Sequence, residues 1–220
     1  MDIKIAHQPS YAMAVCNLEE GESIKAESGA MLSMSSNVDI ATSSGGVFKG
    51  LKKALLGGES FFTNVFTAKD APGEVCLAPT MPGDIVNIPM DGELIIQGTS
   101  FLASDTEIDL DTKYKGFKGL FSGEGMFMLK ASGRGNILVN CFGAIHPVEV
   151  DGEYIVDTGH VVAFESTLDY KVKSVGGIMA TLFSGEGLIS RFSGKGKLWI
   201  QSRNPDAYGK LLGSHLPPRE

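Results

Sequence analysis

Apolar and polar positions alternate along much of the chain. The stretches DIVNIPM (84–90), ELIIQG (93–98) and DTEIDLD (105–111) step with a period of two, the spacing of a strand with one face on a core. Val, Ile, Phe and Thr cluster between Gly and Pro punctuation, which favours strands joined by turns. PMDGE and EVDGE (89–93 and 149–153) read as hairpins with Asp-Gly at the tip. DTEIDLD places Asp105, Glu107, Asp109 and Asp111 on one face of a strand. That face reads as a solvated edge that discourages aggregation, because the EF-hand spacing and its central Gly are missing. The segments VFKGLKKALLGG, YKGFKGLF and KSVGGIMATLF break the alternation and are read as helical turns or curved loops.

The pattern recurs. FSGEG stands at Phe121 to Gly125 and again at Phe183 to Gly187, 62 residues on. KGLKKALLGGES (49–60) is a looser third copy. Upstream, GAMLSMSSNVDI, GTSFLASDTEIDL and GHVVAFESTLDY share one plan that ends in an aliphatic-Asp pair: Val38-Asp39, Ile108-Asp109 and Leu168-Asp169. Downstream, Gly133-Arg134-Gly135 and Gly194-Lys195-Gly196 read as small-residue turns before apolar strands. The chain therefore divides into units of about 60–70 residues, longer than most solenoid repeats. The boundaries expected are about 11–82, 83–142 and 143–204, with a tail over 205–220, all within one compact domain. A lone unit of this kind exposes its edges, and three cover one another if they close into a ring or a triangular prism. The fold expected is all-β, with three tandem repeats in a pseudo-threefold arrangement. The tail, with Pro217 and Pro218 near its end, is expected to lack fixed structure.

The motif LFSGEGLISRFSGKGKLWIQS (182–202), with the GHVVAFE-type and GGI segments before it, resembles the signature of the mitochondrial-biogenesis (altered inheritance of mitochondria) family and its bacterial homologues of unknown function. The resemblance covers nearly the whole chain. It implies three β-repeats, each like a subunit of the tryptophan RNA-binding attenuation protein, a compact relative of the double-stranded β-helix. It implies no agreed activity.

Composition narrows the function. Net charge is -7 among 220 residues, which weighs against a phosphate backbone as partner. The imbalance is uneven: 23 acidic side chains against 11 basic over 1–170, and 3 against 8 over 171–220. Arg134 and Lys195 have Pro72 as their counterpart in the first unit, so no threefold basic stripe forms, and RNA binding is not expected. Cys16, Cys76 and Cys141 are widely spaced without a CxxC pair; they read as buried reduced thiols of a cytoplasmic protein. The N-terminus carries no signal-peptide pattern, and no apolar run approaches 18 residues.

Candidate chemistry is sparse. Glu59, Glu124 and Glu186 hold the same turn in each unit and would converge on a cation or a basic partner if the units pack about one axis. In GGVFKGLKKALLGG (45–58), Phe48 lies on an apolar side and Lys52 and Lys53 on a basic one, a segment suited to core packing or to peripheral membrane contact. His7, His146, His160 and His215 are scattered and offer no metal pattern. No GxSxG or GxxxxGK[ST] appears. Trp199 alternates with Leu198 and Ile200, so Trp and the aliphatics are expected on opposite faces, with Trp in the core. These features point to a non-catalytic binding or assembly protein without cofactor or metal. It would work by self-association or with a protein or small-molecule partner. A small-ligand binder with its pocket between repeats is the alternative, ahead of RNA binding or an unrecognised enzyme.

Overall fold

The computed structural model describes residues 1–43, 62–111, 128–174 and 188–217. Among the described residues the chain is all-β, with one short helix. The first stretch forms β1 (Asp2–Ala6), β2 (Met13–Leu18), β3 (Ser23–Glu27), β4 (Met31–Met34), β5 (Val38–Ser43), β6 (Thr63–Ala68) and β7 (Gly73–Leu77). Then come β8 (Ile85–Gln97), β9 (Phe101–Asp105), β10 (Asp109–Asp111) and β11 (Met128–Asn140). The last strands are β12 (Ile145–Asp157), β13 (Val161–Glu165), β14 (Leu168–Ser174) and β15 (Leu188–Gln201), followed by α1 (Pro205–Gly213).

Two long antiparallel ribbons organise the chain. β8 pairs with β11 from Ile85 opposite Asn140 to Gln97 opposite Met128. On its other edge β11 takes β10 at Asp109–Ser132 and β9 at Ser104–Ile137. β12 pairs with β15 from Ile145 opposite Gln201 to Asp157 opposite Ile189, and β15 takes β14 and β13 in the same order. Near the N-terminus the corresponding ribbon is split, with β2 on β7 and β3 on β6, flanked by β4 and β5. A turn through Gly21, at φ 81°, separates β2 from β3. Pro72 precedes β7 and, without an N–H, cannot serve an unbroken central ladder. Pro89 and Pro147 lie within β8 and β12, in the halves of those strands whose other edge is unpaired among the described strands, where proline is tolerated.

Neighbouring ribbons are tied by strand exchange. β9 also pairs with β3, and β13 with β8. The result is an 11-stranded sheet with β12 at one end and a four-stranded sheet in the order β1-β2-β7-β4. β4 and β12 thus end different sheets and do not pair with each other. The core falls into three clusters that cross these joints. The first, around Phe66 and Leu77, receives Leu102 and Leu138. The second, around Leu129 and Ile137, receives Val162 and Trp199. The third, around Phe192 and Leu198, receives Ile95 and Met128. Val38, Ile108 and Leu168 are all buried, each beside an exposed Asp.

Four expectations are corrected. Asp91-Gly92 and Asp151-Gly152 are not hairpin tips; β8 and β12 run straight through them. Gly92 faces Gly133, and Gly152 faces Gly194, all at positive φ, so paired glycines deform the ribbon without ending it. The Gly-Arg-Gly and Gly-Lys-Gly runs likewise lie inside β11 and β15. The row from Asp105 to Asp111 is interrupted, because the chain turns between β9 and β10. Asp105 Oδ2 accepts bonds from the Asn136 backbone N–H at 2.8 Å and from its Nδ2 at 3.3 Å, so this carboxylate ties down the turn. The tail begins with the helix α1, because Asn204 caps the Asp206 and Ala207 N–H groups and Pro205 opens the first turn. Tyr208 anchors it against Phe142, ring centroids 5.1 Å apart.

Gly83 joins the first ribbon to the second. Its carbonyl accepts from the Ala12 N–H at 2.9 Å, and a Cβ there would run into the Cys141 carbonyl oxygen. Gly83→Ala is expected to lower stability by about 2 kcal/mol in urea unfolding. Gly209→Ala, where an added carbon meets nothing within 4 Å, is the control that does not.

Glu27 closes β3, and burial pushes its carboxyl up from 4.5 to about 7. The fold therefore favours the protonated acid. The cost is absent below the ordinary value, grows as pH rises through this window, and is complete above it. Glu27→Gln should raise the urea midpoint at pH 8 and leave it nearly unchanged at pH 4.

Candidate functional site

Glu59, Glu124, Glu186, Phe48, Lys52 and Lys53 lie outside the described residues. Their segments are bracketed by antiparallel pairs: Ser43 opposite Thr63, Asp111 opposite Lys130, and Ser174 opposite Leu188.

Most of the perturbed titratable groups among the described residues are shifted chiefly by burial. The Cys16 thiol is pushed up to about 12 and that of Cys141 to about 11, both mainly by burial. Neither supplies thiolate near neutral pH, so neither is an activated nucleophile. All three cysteines are buried and free. Burial also lowers Lys25, whose Nζ donates to the Ile108 carbonyl at 2.7 Å. Tyr170 is raised by burial; its ring lies 5.3 Å from Phe164 and 5.0 Å from Phe192, and its hydroxyl accepts from Ser190 Oγ at 3.1 Å. His160 Nδ1 bonds the Gln201 carbonyl at 2.7 Å, which gives it a structural place beside its short turn. Among the described residues no three of His, Cys, Asp and Glu gather as metal ligands.

Basic side chains across the ribbons are matched. Arg134 lies 3.8 Å from Asp91, and Lys195 lies 3.2 Å from Asp151, directly opposite in register. Trp199 and Leu198 are buried in different core clusters, as their alternation requires.

The feature the sequence reading missed is at the sheet ends. β4 presents Met31, Leu32 and Met34 to solvent, with Leu32 59% exposed. β12 presents Tyr154 and Ile155, the latter 51% exposed. β4 ends the four-stranded sheet and β12 the larger one, so each surface combines apolar side chains with an edge that no described strand pairs. Such edges recruit further strands. A signal was present: Leu32, Leu102 and Val162 are apolar residues at matching places in the three upstream motifs. α1 adds exposed Leu211 and Leu212. No helix among the described residues is long and apolar enough to cross a membrane.

Comparison with known proteins places the chain. It is 31% identical to an uncharacterized protein of Streptococcus pyogenes serotype M6 over 228 aligned residues, spanning 99% of this chain and 92% of that protein. The X-ray structure of a Streptococcus pyogenes protein superposes with a TM-score of 0.81 at 28% identity, covering 98% of this chain and 99% of the other. Residues 3–203 match the family described as Mitochondrial biogenesis AIM24, and the chain belongs to that family.

Proposed function

We propose that this protein is a three-unit β-scaffold that acts by binding and assembly, without catalysing a reaction. The observation that carries the reading is the pair of apolar sheet ends at β4 and β12, which no described strand pairs. The three-unit description is supported by strand pairing that recurs in the same order, with units at about 11–82, 83–142 and 143–204. A pseudo-threefold relation and a likeness to attenuation-protein subunits remain part of this proposal. Acidic net charge and the matched Arg134 and Lys195 favour a protein partner over nucleic acid. Buried free thiols favour a reducing, cytoplasmic setting.

Radical footprinting tests the reading. Met31, Leu32, Met34, Tyr154 and Ile155 are labelled in intact host cells and in the dilute purified protein. Protection of both ends in cells is expected. Equal labelling in the two settings would show that nothing covers them and overturn the proposal.

A further inference from the structure

We propose that the occupant of these ends is a second copy of this chain, docked head to tail, with β4 of one molecule against the second half of β12 of the next. This deepens the binding reading above by naming the partner and the register.

The chain shows the same joint twice within itself. β9 pairs with β3 through Ala103–Ala26, Ser104–Lys25 and Asp105–Ile24. β13 pairs with β8 through Ala163–Ile96, Phe164–Ile95 and Glu165–Leu94. β4 is the counterpart of β9 and β13: Met31, Phe101 and Val161 each start the pairing with the last strand of their ribbon, and each is followed by a bulge. β12 is the counterpart of β8, since Ile155 and Ile95 each stand three residues beyond the ribbon glycines Gly152 and Gly92. Carried over, the joint sets Ser33 opposite Val156, Met34 opposite Ile155 and Ser35 opposite Tyr154.

Burial follows the joint. Leu102 and Val162 are 0% exposed and Ile95 2%, whereas their counterparts Leu32 and Ile155 are 59% and 51% exposed. Leu102 and Leu138 fill the core of the preceding unit, and Val162 and Trp199 do the same one unit later. Their first-unit counterparts, Leu32 and Cys76, enter none of the three clusters. The third cluster draws only on the second and third units. One end therefore holds knobs without a core, and the other a core without its knobs. β4 carries no charge and no proline, the devices that keep an edge strand solitary. Because the two surfaces differ, the contact is heterologous and builds a ring or an open filament, according to whether its rotation closes.

The test is light scattering coupled to gel filtration, over a range of concentration, on the full chain and on Leu32→Lys and Ile155→Lys. Both positions are exposed in the single chain, and thermal melts check that the variants keep the parent's fold. The parent is expected as an assembly whose mass is a whole multiple of the chain. Each variant alone is expected as a monomer. Mixed in equal amounts, they should form a 1:1 dimer, because each retains the end that the other has lost. A parent that stays monomeric overturns the proposal, as does a mixture that stays monomeric. So does an Ile155→Lys protein that still dimerises, which would mean a symmetric β4–β4 contact. If the parent is monomeric while footprinting shows both ends protected in cells, self-assembly fails and the binding reading survives with another partner.

Discussion

The structure depends on strand hand-over between neighbouring ribbons. The second half of each long first strand has one edge satisfied within its own ribbon and the other open. β9 closes that edge for β3, and β13 closes it for β8. Unpaired N–H and C=O groups buried at such a joint would each cost about 1–3 kcal/mol, so the hand-over is a condition for burying the joint at all. It also places Leu102 and Val162 inside the core around the neighbouring ribbon. Burying a side chain of that size contributes about 2 kcal/mol. Backbone pairing and side-chain burial are therefore supplied by the same strand, and neither cluster is complete within one ribbon.

Close packing over the ribbons constrains the glycines. The backbone at Glu107 lies 2.9 Å from where a Cβ on Gly133 would stand, and Thr167 lies 3.0 Å from the same point on Gly194. The turns after β9 and β13 thus rest directly on the ribbon strands. Their carboxylates fix the approach: Asp105 accepts from the Asn136 N–H at 2.8 Å, and Glu165 accepts from the Lys197 N–H at 2.9 Å. The N-terminal ribbon reaches the same end differently. There the Asn37 amide spans the break between β6 and β7, donating to the Lys69 carbonyl at 3.1 Å and the Ala71 carbonyl at 2.8 Å. The bond that Asp105 and Glu165 accept is made there by a serine hydroxyl, with Ser35 Oγ accepting from the Glu74 N–H at 2.9 Å.

Local pattern made much of this legible. Alternation marked the strands, and the aliphatic-Asp pairs marked positions where Val38, Ile108 and Leu168 turn inward. The opposite faces of Trp199 and Leu198 followed from period two. What local pattern could not reveal was continuity. Asp-Gly reads as a hairpin tip when its neighbours are unknown, but thirteen residues of partner strand hold β8 straight across it. The carboxylate row failed for a related reason: Asp105 has a backbone N–H to bind, and the chain turns there. The motif around Leu32 marks it as apolar, as it does Leu102 and Val162, but does not mark its exposure, because the equivalent residues of the two matching motifs are buried. Only position in the series of ribbons separates them. The residues first favoured for a site, from Phe48 to Glu186, lie outside the described segments.

The ribbon of β8 and β11 serves a neighbour on each side: β9 pairs with β3, and β8 receives β13. β4 and β12 carry the counterparts of β9 and of the receiving half of β8, and no described strand pairs with either at that edge. Had the ends been shaped for water alone, β4 would be expected to place charge where it places Met31-Leu32-Ser33-Met34, as edge strands do when they must remain single. Its composition instead follows the buried strands β9 and β13. At the far end, Tyr154, Ile155 and Val156 of β12 follow Leu94, Ile95 and Ile96 of β8. The apolar character of both ends therefore matches that of the buried joints, and the two counterparts stand at the ends of different sheets.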